Sequence, residues 1–195
     1  MALLCAISAL LDGKVFSLPV PFATFLYYEL WEIPVVLGLL ILGFWGGTTI
    51  AVVNAGVLEV VNQGSLPTGP VYNLVAELAM FLGIVATMRL GGVLGKRFKL
   101  TAVATVAGAS ARTAAMTVVN YVVLPLPYPL GFGTFGVTPA EVPAYLVLIG
   151  AFNFTLALYT IPAAFGLQKA VSQTARLQLG DGSEQEGADG ARRLL

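Results

Sequence analysis

The chain contains no histidine and only one cysteine, Cys5. The absence of histidine removes the side chain most often used for acid–base catalysis and for metal binding. A single cysteine cannot form an internal disulfide, so it gives no information about the redox compartment. Charged residues make up only 10% of the 195 positions, against about 25% in an average soluble domain. The ten basic and ten acidic residues balance, so nothing in the net charge indicates nucleic acid as a partner.

Hydrophobic residues make up 57% of the chain, and they fall into six runs, at 1–11, 33–45, 48–61, 71–90, 100–124 and 140–170. This pattern predicts an all-α membrane protein, a bundle of six transmembrane helices. The first run begins at Met1 without the basic flank of a signal peptide, so either this span is short or its start lies upstream. The second and third runs are also short, and we predict that they meet at a tight break at Gly46 and Gly47.

Beyond Arg176 the chain becomes polar and rich in glycine and acidic residues. Such a composition buries too little apolar surface to fold. We therefore predict a membrane domain over residues 1–177 and a disordered cytoplasmic tail over 178–195.

The basic residues predict the orientation of the bundle. Lys96, Arg97 and Lys99 lie between the fourth and fifth runs, and Lys169 lies at the end of the sixth. The connections at 62–70 and 125–139 have no lysine or arginine. Because basic loops stay in the cytoplasm, we predict that both termini are cytoplasmic, with Lys14 as a minor exception.

Two connections on the predicted outer side, 17–28 and 125–135, are rich in proline and aromatic residues. Proline prevents regular helix and stiffens a loop. One interpretation is packing at the membrane interface, where aromatic rings are favoured. The other is a pair of ordered loops that close over an apolar ligand.

Charged residues inside a membrane span are costly and are usually functional. Glu77 lies well inside the fourth run and Arg112 near the centre of the fifth, at similar predicted depths. They are expected either to form a buried ion pair that fixes packing or to contact a ligand. Glu32 precedes Pro34 at the start of the second run, where an acidic residue favours a helix N-terminus.

Asn120 and Asn153 lie in the outer halves of the last two runs. Together with Glu77 and the aromatic loops, they fit a polar cluster for a planar ligand with hydrogen-bonding edges. A different pattern occurs in the first run, where Ala2, Ala6 and Ala9 form one stripe of small residues. Such a stripe lets helices approach closely, either inside the bundle or in a complex with another protein.

Several segments, in order, resemble the substrate-binding S-components of energy-coupling-factor (ECF) vitamin transporters, and most of all the riboflavin-specific type. The similar segments span the chain from Ala2 to about Lys169. They are the stripe Ala2-x-x-x-Ala6, the run Glu29-Leu-Trp-Glu-Ile-Pro34, Gly69-Pro70, the run Ala76-Glu-Leu-Ala-Met-Phe-Leu-Gly83, Val119-Asn-Tyr121 and Phe152-Asn153.

The resemblance implies a six-helix bundle that binds its vitamin from outside and works with a transmembrane coupling protein and two ATPase subunits. It implies that Asn120 and Asn153 bond the edges of a flavin ring system and that Glu77 lies in or beside the pocket. The alanine stripe would dock on the coupling protein. The substrate-site residues predicted on this basis are Asn120, Asn153, Glu77, Glu29, Tyr121, Tyr72 and Tyr28.

The resemblance also implies the plasma membrane of a prokaryote, no cofactor other than riboflavin as transported ligand, and no enzymatic activity. The chain has no phosphate-binding loop for ATP. It departs from the riboflavin type at Met80, where that type has asparagine, and at Leu156, where it has lysine. These departures leave another small vitamin or precursor as an alternative substrate.

Two other classes of function compete with this hypothesis. An intramembrane enzyme would need a carboxylate pair or a serine with a base, and Ser110 has no obvious base nearby in the sequence. A self-sufficient secondary carrier is disfavoured because six short spans show no inverted repeat.

Overall fold

The structure of the chain is a computed structural model that describes residues 1–12, 17–61, 66–91 and 97–192. Within these ranges, side chains are described at all positions except 23–25, 61, 97–99, 135 and 175–192. In chain order the elements are α1 (Ala2–Leu11), β1 (Leu18–Val20), β2 (Ala23–Tyr28), α2 (Glu32–Val61), α3 (Gly69–Leu90), α4 (Arg97–Val123), a 3-10 turn (Gly133–Phe135) and α5 (Val142–Arg192).

The prediction of a helical membrane protein is confirmed. Four helical stretches are long and apolar enough to cross a membrane, and the ten-residue α1 is a shorter apolar helix. The predicted starts of α3 and α4, at 71 and 100, fall close to the observed Gly69 and Arg97. The count of six spans stays a prediction, and it depends on how α2 is arranged.

Helix α2 folds back on itself at Gly43. This residue has a φ of 80° and a ψ of −177°, a conformation that glycine adopts without steric cost. A Cβ added to Gly47 would lie 2.8 Å from the Cα of Leu39, and one added to Gly38 would meet the side chain of Ile50. In a straight helix, residues 39 and 47 would be about 12 Å apart. The halves 32–42 and 44–61 are therefore antiparallel neighbours.

The reversal at Gly43 corrects the predicted break at Gly46 and Gly47. Gly47 instead lets the second half of α2 approach the first, because its missing side chain leaves room for the backbone of Leu39. The two short apolar runs thus form a helical hairpin, as their lengths indicated, but the reversal comes three residues earlier than predicted.

Helices α3 and α4 approach closely at two glycines. A Cβ on Gly83 would lie 2.6 Å from the carbonyl oxygen of Ala107, and one on Gly108 would lie 2.7 Å from Cδ1 of Ile161 in α5. Small residues at such crossings let helices pack through their backbones, which is how helices associate where water supplies no hydrophobic drive. This crossing brings α3, α4 and α5 together at mid-bundle.

The main apolar core lies between α2, α3, α4 and α5. Its fully buried members include Val36, Ile50, Phe81, Ile84 and Ile161. Helix α1 packs against this core through Leu4, Cys5 and Leu11. The buried polar residues described below lie within this helical framework.

The connection between α1 and α2 contains a small antiparallel hairpin. Strand β1 pairs with β2, with Leu18 opposite Tyr28 and an irregularity in register after Pro19. The prediction of an all-α fold did not include these strands. The aromatic residues and the threonine of Ala23–Tyr28 suit a strand, and proline at the second position of the short strand β1 is tolerated at a sheet edge.

Two predictions about the ends of the bundle stay predictions. Lys14 and Lys96 lie outside the described residues, as do the side chains of Arg97 and Lys99, so the cytoplasmic location of the termini is untested. The backbone of α5 continues as helix to Arg192, into the segment whose composition predicts disorder. The boundary at 177 between membrane domain and tail is therefore also untested.

Candidate functional site

A buried arginine lies at the centre of the polar residues. Arg112 in α4 is only 2% exposed. Its Nη1 and Nη2 donate to the two carboxylate oxygens of Glu32, at 2.9 and 2.8 Å. This paired geometry matches the planar guanidinium to the carboxylate. It connects α4 to the start of α2, across 80 positions of sequence.

Asn153 is a second hydrogen-bond partner of this arginine. Its Oδ1 accepts a hydrogen bond from Nε of Arg112 at 2.9 Å, and its Nδ2 donates to the carbonyl oxygen of Ile149 at 2.9 Å. Both ends of the Asn153 amide are thus engaged within the protein. Its predicted contact with a flavin edge would require one of these bonds to be exchanged for a ligand.

The predicted ion pair between Glu77 and Arg112 is wrong, because Arg112 pairs with a different glutamate. The ion pair that the structure records for the described residues joins Arg112 to Glu32. Glu32 was interpreted from sequence as a helix-capping residue. The reversal at Gly43 makes the first half of α2 only about 16 Å long, and this short segment starts at the depth of Arg112 rather than at the surface.

Glu77 is nevertheless buried and close to this ion pair. It is 1% exposed, and its Oε1 has no hydrogen-bond partner among the described residues. The charged groups that act on it are Glu32, Arg112 and Asp12. A buried carboxylate oxygen without a donor is costly, so this position requires an explanation beyond packing.

Two further polar groups without partners lie near the end of α1. They are Oδ2 of Asp12 and Nδ2 of Asn54, neither of which has a hydrogen-bond partner within the described ranges. Both residues contact Ser8: the backbone N–H of Asp12 donates to the Ser8 carbonyl oxygen at 3.1 Å, and Ser8 Oγ lies 3.1 Å from the Asn54 side-chain amide. Ser8 Oγ also lies 2.9 Å from the carbonyl oxygen of Trp31.

The position of Asp12 makes its carboxyl unusually weakly acidic. Burial, and after it the charges of Glu29 and Glu32, raise the pKa of Asp12 to about 7. Burial also raises the pKa of Glu29, although hydrogen bonds from Trp31 and Ser17 act in the opposite direction. These bonds are 2.6 Å from Nε1 of Trp31 and 3.3 Å from Oγ of Ser17.

The end of the β-hairpin is fastened to α5. The hydroxyls of Tyr28 and Thr155 are 2.7 Å apart. The Tyr28 ring lies 5.6 Å from that of Phe152 and 5.9 Å, edge-on, from that of Tyr159. The Tyr159 hydroxyl donates to the backbone carbonyl of Glu29 at 2.6 Å. The predicted site residues Tyr28 and Glu29 thus both belong to this fastening.

The second aromatic loop is fastened to α3. The Tyr72 hydroxyl donates to the carbonyl oxygen of Leu130 at 2.7 Å, and Thr68 Oγ1 donates to that of Pro129 at 2.9 Å. Both predicted loops are therefore ordered by specific contacts. Tyr72, predicted to contact substrate, orients this loop in the structure.

Two predicted site residues on α4 lie away from the Arg112 cluster. Asn120 is eight positions, or about 12 Å, further along the helix, and its Nδ2 donates to the Met116 carbonyl of its own helix at 2.8 Å. Tyr121 is 63% exposed.

The structure thus brings Asn153, Glu77, Glu29 and Tyr28 to one region of the bundle, while Asn120, Tyr121 and Tyr72 lie at its outer edge. The two positions that depart from the riboflavin type, Met80 and Leu156, are both buried.

The alanine stripe lies on the outer surface of α1. Ala2 and Ala6 are exposed and Ala9 is half-buried, whereas Ser8 is buried against α2. Ala2 and Ala6 are thus free of contacts that would bury them within the described part of the bundle, and the docking role of the stripe stays a prediction.

The comparison with solved structures finds a similar fold. The S component of a bacterial ECF transporter superposes with a TM-score of 0.70 and 19% sequence identity, over 89% of this chain and 94% of that one. The chain has the fold of an ECF S component. No protein-family profile matches the sequence, and no curated protein sequence does. Because one fold can host several functions, the activity of this S-component-like chain has to be argued from its own residues.

Proposed function

We propose that the chain is a substrate-binding membrane subunit that captures a small water-soluble molecule, a vitamin or vitamin precursor, for an ECF-type importer. The observation that carries this proposal is the buried polar cluster of Arg112, Glu32, Asn153 and Glu77 inside a bundle with the S-component fold. Intramembrane charges are retained at a cost in stability and usually mark a ligand or ion path.

The fastened hairpin supports a binding role. Tyr28 and Glu29 hold it against α5, and Glu29 acts on Asp12 and Glu32, so we infer that the hairpin covers this acidic region. Each of these contacts is a single hydrogen bond or ring contact, worth about 0.5–1.5 kcal/mol. A cover held by a few such bonds can open and close, as a lid over a bound ligand must.

The exposed alanines support an external partner. In the proposed importer, Ala2, Ala6 and Ala9 would contact the transmembrane coupling protein, which itself carries two ATPase subunits. The location would be the plasma membrane of a prokaryote, with both termini in the cytoplasm and the hairpin outside.

Riboflavin or a related flavin is the first ligand to test, because the sequence motifs favour it. The test is quenching of flavin fluorescence by the purified protein in detergent, followed by displacement with other vitamins. The expected result is saturable binding of riboflavin or, if riboflavin does not bind, of another vitamin. Failure to bind any vitamin would contradict the proposed function.

Uptake by this chain alone distinguishes the proposal from a self-sufficient carrier. We expect liposomes containing only this protein to bind substrate without accumulating it. Accumulation without an energising module would contradict the proposal.

A further inference from the structure

The buried polar cluster contains more acid than base. Glu32 and Arg112 neutralise one another through their paired bonds. Glu77 is acted on by both members of this pair and by Asp12, and Asp12 is acted on by Glu29 and Glu32. Arg112 is the only basic group among those that act on Glu77. Three carboxyl groups, those of Glu77, Asp12 and Glu29, are thus in excess in this region, and of these Glu29 already accepts hydrogen bonds from Trp31 and Ser17.

Glu77 and Asp12 carry the buried carboxyl oxygens that have no hydrogen-bond partner among the described residues. Oε1 of Glu77 and Oδ2 of Asp12 are both buried without a donor within the described part of the chain. The side chain of Glu77 is 99% buried, as 1% of it is exposed. Buried carboxylates normally accept hydrogen bonds or face a positive charge. Neither oxygen accepts a hydrogen bond from the described residues, and a cationic donor is the group that would stabilise both best.

The nearby amide sets a second requirement. Nδ2 of Asn54 is a buried donor without an acceptor in the described residues, and Ser8 connects Asn54 to the backbone of Asp12. A molecule that satisfies all three groups must present N–H or cationic groups to the carboxylates and one acceptor to the amide. A cation beside these carboxyl groups favours their ionised form and is attracted by it, whereas an anion opposes their ionisation.

We propose that the substrate is an organic cation or amine with an additional acceptor group, and that Glu77 and Asp12 bind its positive group. This inference rests on the proposed function, since it specifies the chemistry of the molecule captured. It selects, among the small vitamins left open by the sequence, those that are positively charged near neutral pH.

The test is calorimetric titration of the purified full chain in detergent with five probes. Thiamine and pyridoxamine carry positive groups, riboflavin is neutral, and biotin and pantothenate are anionic. We expect one of the cations to bind most tightly. Glu77→Gln keeps the shape of the side chain and should weaken that cation by at least about tenfold, as for loss of one partner of a buried charge pair. Asp12→Asn should also weaken it.

Glu59→Gln serves as the matched control. It makes the same chemical change in α2 at an exposed glutamate. It should leave binding unchanged. Thermal unfolding of each variant without ligand checks that the fold is intact, and Glu77→Asn is a second variant should Glu77→Gln misfold.

The outcomes separate this inference from the proposed function. Tightest binding of riboflavin, biotin or pantothenate would overturn the inference and leave the function standing. Cation binding unaffected by Glu77→Gln and Asp12→Asn would also overturn it, and would mean that only water fills the region. No binding of any probe would contradict both.

Discussion

Arg112 and Glu32 form a paired ion bridge at 2.8 and 2.9 Å, with both side chains almost fully buried. The bridge fixes the start of α2 against the centre of α4. Removing one partner leaves the other as an uncompensated buried charge, whereas replacing both removes the cost of burying either.

Arg112→Met should therefore destabilise the bundle by about 3–5 kcal/mol. The double variant Glu32→Leu/Arg112→Met should recover most of that loss. The measurement is unfolding in detergent, compared as a double-mutant cycle. A loss in the double variant equal to the sum of the losses of Arg112→Met and Glu32→Leu would show that the two charges are not coupled.

The pH dependence of stability follows from the raised pKa of Asp12. The unfolded chain releases this proton near pH 4, while the folded protein holds it until about pH 7. Between these values the folded state binds more protons, so stability is greatest at low pH and falls as the pH rises. Glu29, with its raised pKa, acts in the same direction.

We therefore expect the melting temperature of the ligand-free protein to fall as the pH rises from 4 to 7 and then to level off. Asp12→Asn should flatten this dependence. The charged groups that face Asp12 are Glu29 and Glu32, and Asp12 itself acts on Glu77. A melting temperature that rises over the same interval in the wild type would contradict the assignment.

Loosening the hairpin should speed ligand release. Tyr28→Phe removes the hydrogen bond to Thr155 and keeps the ring contacts with Phe152 and Tyr159. Loss of one such bond costs about 1 kcal/mol, which corresponds to roughly a fivefold faster dissociation. Stopped-flow release measures the rate, and faster amide exchange over residues 18–28 is its structural counterpart.

Tyr121→Phe is the matched control for the hairpin, because this tyrosine is 63% exposed and away from the fastening. It should change neither the rate of ligand release nor the rate of amide exchange over residues 18–28. Equal effects of both variants would mean that the hairpin does not cover the ligand.

Enlarging the alanine stripe should separate binding from transport. Ala6 is exposed on α1, so Ala6→Trp should leave substrate binding intact while abolishing complex formation with the coupling protein. Leu10→Trp alters an exposed position outside the stripe and should affect assembly less. Co-purification of the complex measures both. Loss of substrate binding in Ala6→Trp would mean that the stripe supports the bundle itself.

Apolar runs predicted most helices of this chain because span length and composition are local properties. The burial of Glu77 and Arg112 was also predictable, since both lie far from the ends of their runs. The partner of Arg112 was not, because it depends on where α2 reverses. The sequence offers two adjacent glycines at 46 and 47, but the reversal uses Gly43.

Glu32 was missed for the same reason. Next to Pro34 it has the sequence features of a helix start, and it does start α2. The available signal was the shortness of the run that follows it: an 11-residue segment cannot reach across a bilayer, so its first residue need not lie at the surface. The β-hairpin was also missed, because prolines in 17–28 indicate only that helix is excluded.

The most direct test of the central claim is to ask which small molecule the protein retains. Purified wild-type protein and Glu77→Gln are incubated with a total extract of bacterial metabolites, separated from free molecules and analysed by mass spectrometry. The account predicts that the wild type retains one water-soluble cationic molecule per chain and that Glu77→Gln retains much less. Retention of lipid and detergent alone by the wild type would contradict the account.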